Sequence, residues 1–575
     1  MTPPPRLLHL LGQISRARSA FEFARASRRP GETQRARLRA ILRPNADTEY
    51  GRAHGFGDIR DPATFARRVP IMRPADLQPW VERLQRGERG QGERGLLTGE
   101  APLAYVTTTG STGPAKYVPI TASYRTEFQK TVHVAVWHLY RRFPEAFHGR
   151  VLYFVGSRRT RVAPDGLDIG AMSGFNFTEL PPVVRAAYAW PYELFEVPDL
   201  ATRGFLALYL AAVRDVTLIA GVFPAPIVYM LRNLVREAPR LAEHVRRGSL
   251  PDDLTLTDAQ RAFFSRDLGP RPDVADRLAR IPDEARNDPS RAVALAMPRL
   301  RLTYCWMTST AGLFVPELQE RLGPSVAVRD AIYAACEGWC SIPIGDDAPG
   351  GALAITSHFF EFFEVQAHDR GDLSDPRTAE QLEDGRQYYI VVTNSAGLYR
   401  YLLGDIVEVC GHHHRTPRIR FVRKAGAASD LCGEKLEEHH VTDAVGAALA
   451  SLGLRATWFS LVPVTDEVTG AAGHARGGAE LRYELYIELA EPAPGGAVDA
   501  FGGAVDGALR AHAQGYDFCR SGGLLGAARV RRLPAGRYDA WRQIAVAEGA
   551  AEAQLKTAHL VSCAGKVPPA LRPSR

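Results

Sequence analysis

A loop rich in hydroxyls and glycine, TTTGSTGPAK (Thr107 to Lys116), is the first segment of this chain equipped for chemistry. Small side chains there leave backbone N–H groups free to wrap phosphate oxygens, and Lys116 adds a point charge. It is not a Walker A loop, because Lys116 follows Ala115 and precedes Tyr117 where that pattern needs Gly-Lys-Ser/Thr. A Ser/Thr-rich turn without a ligand is the competing reading of the loop alone.

Two further segments add a ring and two carboxylates. In YAACEGW, a strand-like AVRDAIY leads into a tight turn that presents Tyr333 and, four residues on, Glu337. A ring can stack on a purine, and a carboxylate beside phosphates suits Mg²⁺, which prefers oxygen ligands. In SAGLYRYLLGDIVEV (395–409), alternating apolar residues end in Gly404–Asp405, a turn that would let Asp405 accept hydrogen bonds from ribose hydroxyls. Each of the three also has a bland reading, as a structural Tyr, a structural Glu and a β-turn Asp.

Positioning such residues takes large cores, and the composition provides for them. The chain has 575 residues, 45% hydrophobic and 23% charged, which excludes disordered, collagenous and coiled-coil classes and points to several domains. A net charge of +7 spread over this length is weak evidence for nucleic acid. Six lysines stand against 65 arginines, so a lysine marks a position where a compact ammonium is needed slightly more often than chance. The seven cysteines are scattered and contain no CxxC pair, which reads as reduced and cytoplasmic with no zinc cage. The most apolar window, 204–223, is broken by Arg214 and Asp215 and reads as a buried helix then a strand, and no secretory segment precedes it.

Residues 13–45 place arginines at helical spacing around Phe21, Phe23, Leu38 and Leu42, a surface helix with a solvated basic face. From 100 to 345, strand-like runs (150–155, 217–222, 300–306) alternate with helical stretches such as 122–143 and 224–238, the pattern of helices on a largely parallel sheet. From about 350 the segments 359–365, 387–393, 398–403, 406–410 and 418–422 predict a compact β subdomain. A smaller α+β unit follows, with LRYELYIEL (481–489) as its clearest strand, apolar on one face and mostly charged on the other. The last ten residues read as a frayed tail. His439 to Asp443 has the Asp one residue early for an acyltransferase HHxxxD and reads as a polar helix start; His412 to His414 reads as a solvated turn.

In sequence order, the hydroxyl/Gly/Lys loop, Y-x-x-x-E and R-Y-x-x-G-D resemble the adenylate-forming superfamily of acyl-CoA ligases, luciferase and adenylation domains. ADTEYGRAHGF (46–56), FARRVPIMRPADLQPWVERL (65–84), FFEFFEV (359–365), SAGLYRYLLGD (395–405) and GHHHRTPRIRFVRKAG (411–426) are more specifically similar to the plant auxin-responsive acyl-acid amido synthetase family and its bacterial relatives. That resemblance runs from about residue 35 to 565. It implies an α/β fold with a large N-terminal adenylating domain (1–423, including the β subdomain 350–423), a hinge at 424–433, a mobile α+β lid at 434–565 and a tail at 566–575.

The resemblance also implies roles. Thr108, Thr109, Gly110, Ser111, Thr112 and Lys116 would bind phosphate, Tyr333 would lie against adenine, Glu337 near Mg²⁺, and Asp405 on the ribose. Arg423 lies in a strand that would close over the nucleotide. Lys435, in GEKLEE, follows the hinge, and Lys556, in QLKTAHLV, would be the lid lysine, with Ala558 and His559 where the family pattern has Pro-Arg. The implied activity uses ATP and Mg²⁺ to turn a small carboxylic acid into an acyl-adenylate and passes it to an amine, such as an amino acid. It requires no nucleic acid, membrane or obligate protein partner. A coenzyme A acceptor and a non-catalytic nucleotide sensor are the alternatives. Segments 170–196 and Thr308–Phe314 are the implied walls of the acyl pocket.

Overall fold

The computed structural model describes residues 5–88, 95–108, 116–345, 350–424, 428–429, 431, 434, 436–464, 481–491, 497–521, 525–548, 555, 557–561 and 563–573. Among them, the chain up to Phe421 forms one compact unit and the chain from Val422 a second.

The first unit is built on three sheets among the described residues. Strands Arg150–Tyr153, Val216–Ala220, Leu302–Cys305 and Ala327–Asp330 lie side by side, all parallel. Runs such as VTLIA are buried on both faces, as a sheet covered by helices requires. Helix Leu200–Val213 is capped by the Asp199 carboxylate, which accepts from the Thr202 N–H at 2.7 Å. Helix Pro224–Arg247 stops at Gly248, whose φ of +67° only glycine adopts without strain. Phe205, Leu231 and Leu234 from these helices pack with Ile219 in one core. Residues 13–45 form two helices, Pro5–Ala26 and Pro30–Leu42, rather than one. Phe23, Leu38 and Leu42 are buried, whereas Phe21 is exposed.

The second sheet has seven antiparallel strands in the order Phe359–Glu364, Gln387–Thr393, Tyr401–His413, Thr416–Lys424, Gly351–Leu353, Gly338–Ile342 and Tyr333–Ala335. The expected turn at Gly404–Asp405 is absent: 401–413 is one strand. Tyr389 pairs with Ile406 and Val391 with Leu402, so three residues of one strand face one of the other. This is a bulge, and Gly404 takes the φ of +72° that it needs. The third sheet contains the hairpin Ala104–Thr108 and Lys116–Ile120, with Thr108 opposite Lys116, and adds Asp168–Gly170 and Arg161–Val162.

In the second unit, Ala456–Val464 pairs antiparallel with Arg482–Leu489, which pairs parallel with Arg529–Arg532. The charged face of 481–489 is not exposed: Glu484 is buried with Arg482 and Arg531 as partners. Glu488 is buried too and accepts from the N–H groups of Gly536 and Tyr538 at 2.9 and 2.7 Å. Nor do residues 566–573 fray, because Val567 and Leu571 are buried in the core that contains Trp458 and Val462. Helix Glu438–Ser451 begins where the polar His439–Asp443 run was read as a helix start, and His440 Nδ1 accepts the Glu437 N–H at 3.1 Å. No described helix is long and apolar enough to cross a membrane.

Candidate active site

The YAACEGW segment is a β-hairpin: Ala335 pairs with Gly338, leaving Cys336 and Glu337 as its two-residue turn. The Tyr124 hydroxyl donates to the Cys336 carbonyl at 2.8 Å, and Asn394 Nδ2 donates to the Glu337 carbonyl at 2.7 Å. Those two bonds fix the turn from a helix on one side and from Asn394, just before the SAGLYRY segment, on the other.

Tyr333 and Asp405, 72 residues apart, meet. The Tyr333 hydroxyl donates to Asp405 Oδ2 at 2.6 Å, in a buried contact that the 401–413 bulge makes possible. The Tyr401 hydroxyl donates to Glu337 Oε1 at 3.4 Å, so two buried carboxylates are each addressed by a phenol. Burial and the neighbouring Asp405 charge push the Tyr333 phenol well above its ordinary range, and burial with Glu337 does the same to Tyr401. Both phenols therefore act as hydrogen-bond donors at neutral pH. Trp306 and Phe421 stand against the Tyr333 ring at centroid distances of 5.5 and 5.6 Å. Neither residue was flagged from sequence. Phe421 lies in the PxxRFVR stretch that carried the resemblance, so its position was visible although its role was not.

Lys116 opens the strand that follows the phosphate-loop candidate and is partly exposed. Thr109, Gly110, Ser111, Thr112, Lys435 and Lys556 lie outside the described residues, as does the side chain of Thr108. Arg423, in the second unit, pairs with Glu437. His559, where the family pattern has Arg, is buried: its backbone N–H donates to Glu438 Oε1 at 2.6 Å and its Nδ1 lies 2.8 Å from the Phe459 carbonyl. A buried histidine with these partners is a packing residue. His412 Nδ1 lies 3.2 Å from Asp384, and no cluster of three or more His, Cys, Asp or Glu able to hold a metal occurs among the described residues.

Beneath the site lies a buried polar network. Glu127 accepts from Arg37, from the backbone N–H and hydroxyl of Ser395, and from His358 Nδ1 at 3.1 Å. The Trp339 backbone N–H donates to His358 Nε2 at 3.1 Å, so the ring proton sits on Nδ1. Burial, with Arg37 adding to it, pulls His358 down to about 3. The unfolded chain takes up this proton below about pH 6.5 and the folded chain does not, so stability is complete above that pH and falls as the pH drops. The urea-unfolding free energy of wild type relative to His358→Gln should therefore shrink by about 2 kcal/mol between about pH 7 and pH 5. A difference that stays constant would contradict a neutral ring.

In the acyl-wall candidates, much of 170–196 packs on itself. Phe177 and Tyr188 meet edge-to-face at 5.1 Å, and Arg158 pairs with Asp168 and Glu179. Two buried polar atoms in these segments, Asn176 Oδ1 and Thr308 Oγ1, have no protein partner. Just beyond, Asp330 ends its parallel strand with Oδ1 accepting the N–H groups of Met307 and Ala331 at 2.9 Å each. Burial raises its carboxyl to about 6.

Comparison with known proteins places this arrangement. The chain is 27% identical over 94% of its length, and 92% of the relative's, to a probable indole-3-acetic acid-amido synthetase of Oryza sativa subsp. japonica. It is 26% identical, with the same coverage, to a jasmonoyl–L-amino acid synthetase of Nicotiana attenuata. A solved acyl acid amido synthetase in complex with 2,4-DB superposes with a TM-score of 0.79 at 19% identity, covering 96% of this chain and 95% of its own. Models of the GH3 family N-terminal, central and C-terminal domains match residues 20–327, 351–424 and 439–564 in that order. With all three matched along one chain, this protein belongs to the GH3 family.

Proposed function

We propose that the chain is an ATP-dependent acyl-acid amido synthetase. A bare carboxylate is a poor electrophile, because its leaving group would be oxide. When a carboxylate oxygen attacks the α-phosphorus of ATP, pyrophosphate leaves and an acyl-adenylate forms. An amine, here an amino acid, then attacks the acyl carbonyl and AMP departs with the original carboxylate oxygen. The observation that carries this reading is that amido synthetases align with 94% of the chain.

The geometry supports it at named residues. Asp405 is a buried carboxylate acceptor beside these rings, the kind of group a ribose diol calls for, and the Trp306, Tyr333 and Phe421 rings offer a purine an aromatic wall. The N–H-rich loop 108–112 and Lys116 would neutralise charge on the transferring phosphate. Mg²⁺ is bound through one or two carboxylates together with substrate phosphates, so a single buried Glu337 fits it. When bound there, the ion supplies charge neutralisation at the phosphates. Arg423, Lys435 and Lys556 are assigned to nucleotide closure and the two half-reactions, with 424–433 as hinge and 434–565 as lid. Asn176, Thr308 and Asp330 are assigned to the acyl end, which calls for an apolar acid carrying a polar group. The described cysteines form no disulfide with one another, which supports a cytoplasmic setting.

Carboxylate-dependent ATP–pyrophosphate exchange tests the activation step. Mass spectrometry after incubation with mixed amino acids or with coenzyme A distinguishes amide from thioester. Lys116→Ala should lower exchange at least about tenfold, roughly 1.4 kcal/mol of barrier. A wild-type rate in that variant would remove Lys116 from the phosphate site.

A further inference from the structure

A cavity of about 380 Å³ in the first unit is not lined by Tyr333, Glu337 or Asp405. Helices Pro30–Leu42 and Ala122–Arg142 supply Arg37, Ser123, Glu127 and Lys130 to its wall, and Glu100 and Ser395 are among the other polar residues lining it. A second cavity of about 270 Å³ shares Arg37, Ala40 and Lys130, so the two cations stand between two open volumes. At about 30 Å³ per water, either volume has room for a small ion with its hydration.

The hydrogen bonds decide which kind of ligand these walls suit. Both carboxylates facing the larger cavity are already provided for. Glu127 takes donors from Arg37, His358 and Ser395, and Glu100 accepts the Ser123 N–H at 2.9 Å and the Ser123 hydroxyl. The donors are not used up. The Lys130 side chain makes no ion pair or hydrogen bond among the described residues. Arg37 directs Nη2 to Glu127 and, at 3.3 Å, to Ser395 Oγ, while its Nε is buried without a partner. Burial draws the Arg37 guanidinium down to about 10, although Glu127 stands beside it as its counter-charge. With both carboxylates met by donors and the Lys130 ammonium unpaired beside Arg37, the open volume suits an occupant made of acceptors.

We propose that this cavity binds a small oxyanion, a phosphate or a compact carboxylate, between Arg37 and Lys130. Charge-assisted bonds to a guanidinium and an ammonium are the strong kind, and a compact polyacceptor can use both at once. Lys116 does not line the cavity, so its occupancy should not depend on Lys116.

Titration calorimetry on the full chain, in chloride buffer at constant ionic strength, tests this with inorganic phosphate and malonate as separate arms. Lys130→Met should weaken binding of the preferred anion at least about tenfold, with Lys130→Arg restoring most of it. The same binding should survive in Lys116→Met. Thermal melting of Lys130→Met should match wild type, because the residue is partly exposed and makes no bond that holds the fold. Tighter binding in one arm identifies the source as phosphate or carboxylate. Undiminished binding in Lys130→Met, loss of all binding in Lys116→Met, or no binding of either anion to wild type would each overturn the proposal.

Discussion

Asp405→Ala is expected to lower carboxylate-dependent ATP–pyrophosphate exchange about a hundredfold, or about 2.7 kcal/mol of barrier. The side chain has two duties. It accepts the buried Tyr333 hydroxyl at 2.6 Å, and under the proposed function it accepts from the ribose. Tyr333→Phe separates them, since it removes the phenol donor and leaves the carboxylate and most of the aromatic wall. That variant should lose less than about tenfold, mainly in KM for ATP. Asp405→Ala also strands the Tyr333 hydroxyl, at about 1–3 kcal/mol of stability, so urea unfolding should accompany the kinetics. A folded Asp405→Ala protein that exchanges at the wild-type rate would remove Asp405 from the nucleotide site.

The largest stability effect is expected at Arg400. This residue belongs to the AGLYRYxxGD stretch that most strongly marks the family, yet it is buried and away from solvent. Its Nε meets both Glu361 oxygens at 3.1 and 2.9 Å, and Nη1 donates to the carbonyls of Ala66 and Val69 at 2.8 Å each. Glu361 sits in the FFEFFE strand between fully buried phenylalanines, and burial raises its carboxyl while Arg400 pulls the other way. Arg400→Met leaves that carboxylate uncompensated, at about 3–5 kcal/mol. Without Arg400 the folded state holds a proton on Glu361 that the unfolded chain releases above about pH 4.5. Burial raises Glu361 in the wild type too, so the deficit should grow as the pH rises past that raised value towards about 7. Arg400→Met combined with Glu361→Leu should recover most of the loss, because an apolar pair removes the stranded charge. Equal losses in the single and double variants would show that the ion pair is not what Arg400 contributes.

Arg400 also shows how far the sequence could be read. Alternation and turn residues located the parallel strands, the β-rich region and the strand 481–489, because those signals are local. They did not show that 401–413 is one bulged strand, since a glycine before an aspartate looks the same in a turn and in a bulge. The burial of the Glu484 and Glu488 face was not legible because their partners, Arg531 and the Gly536 and Tyr538 N–H groups, come about fifty residues later. The same limit hid Trp306 and Phe421 around Tyr333, and the junction of Arg37, Glu127, His358 and Ser395. Tyr333, Glu337 and Asp405 could be singled out because each sits in a compact motif. Their meeting depends on the hairpin turn at 336–337 and the bulge at 403–405, which only pairing register reveals.

The central claim is that a carboxylate is activated by attack on the α-phosphorus of ATP. The most direct measurement follows the oxygen. Heavy-oxygen-labelled carboxylic acids, including indole-3-acetate and jasmonate, would be incubated with ATP, Mg²⁺ and mixed amino acids, and every phosphorus product would be weighed. Activation as an acyl-adenylate predicts that label appears in AMP, one oxygen per amide formed, with unlabelled pyrophosphate. Label in inorganic phosphate with ADP as the nucleotide product, or amide formed with unlabelled AMP, would contradict it.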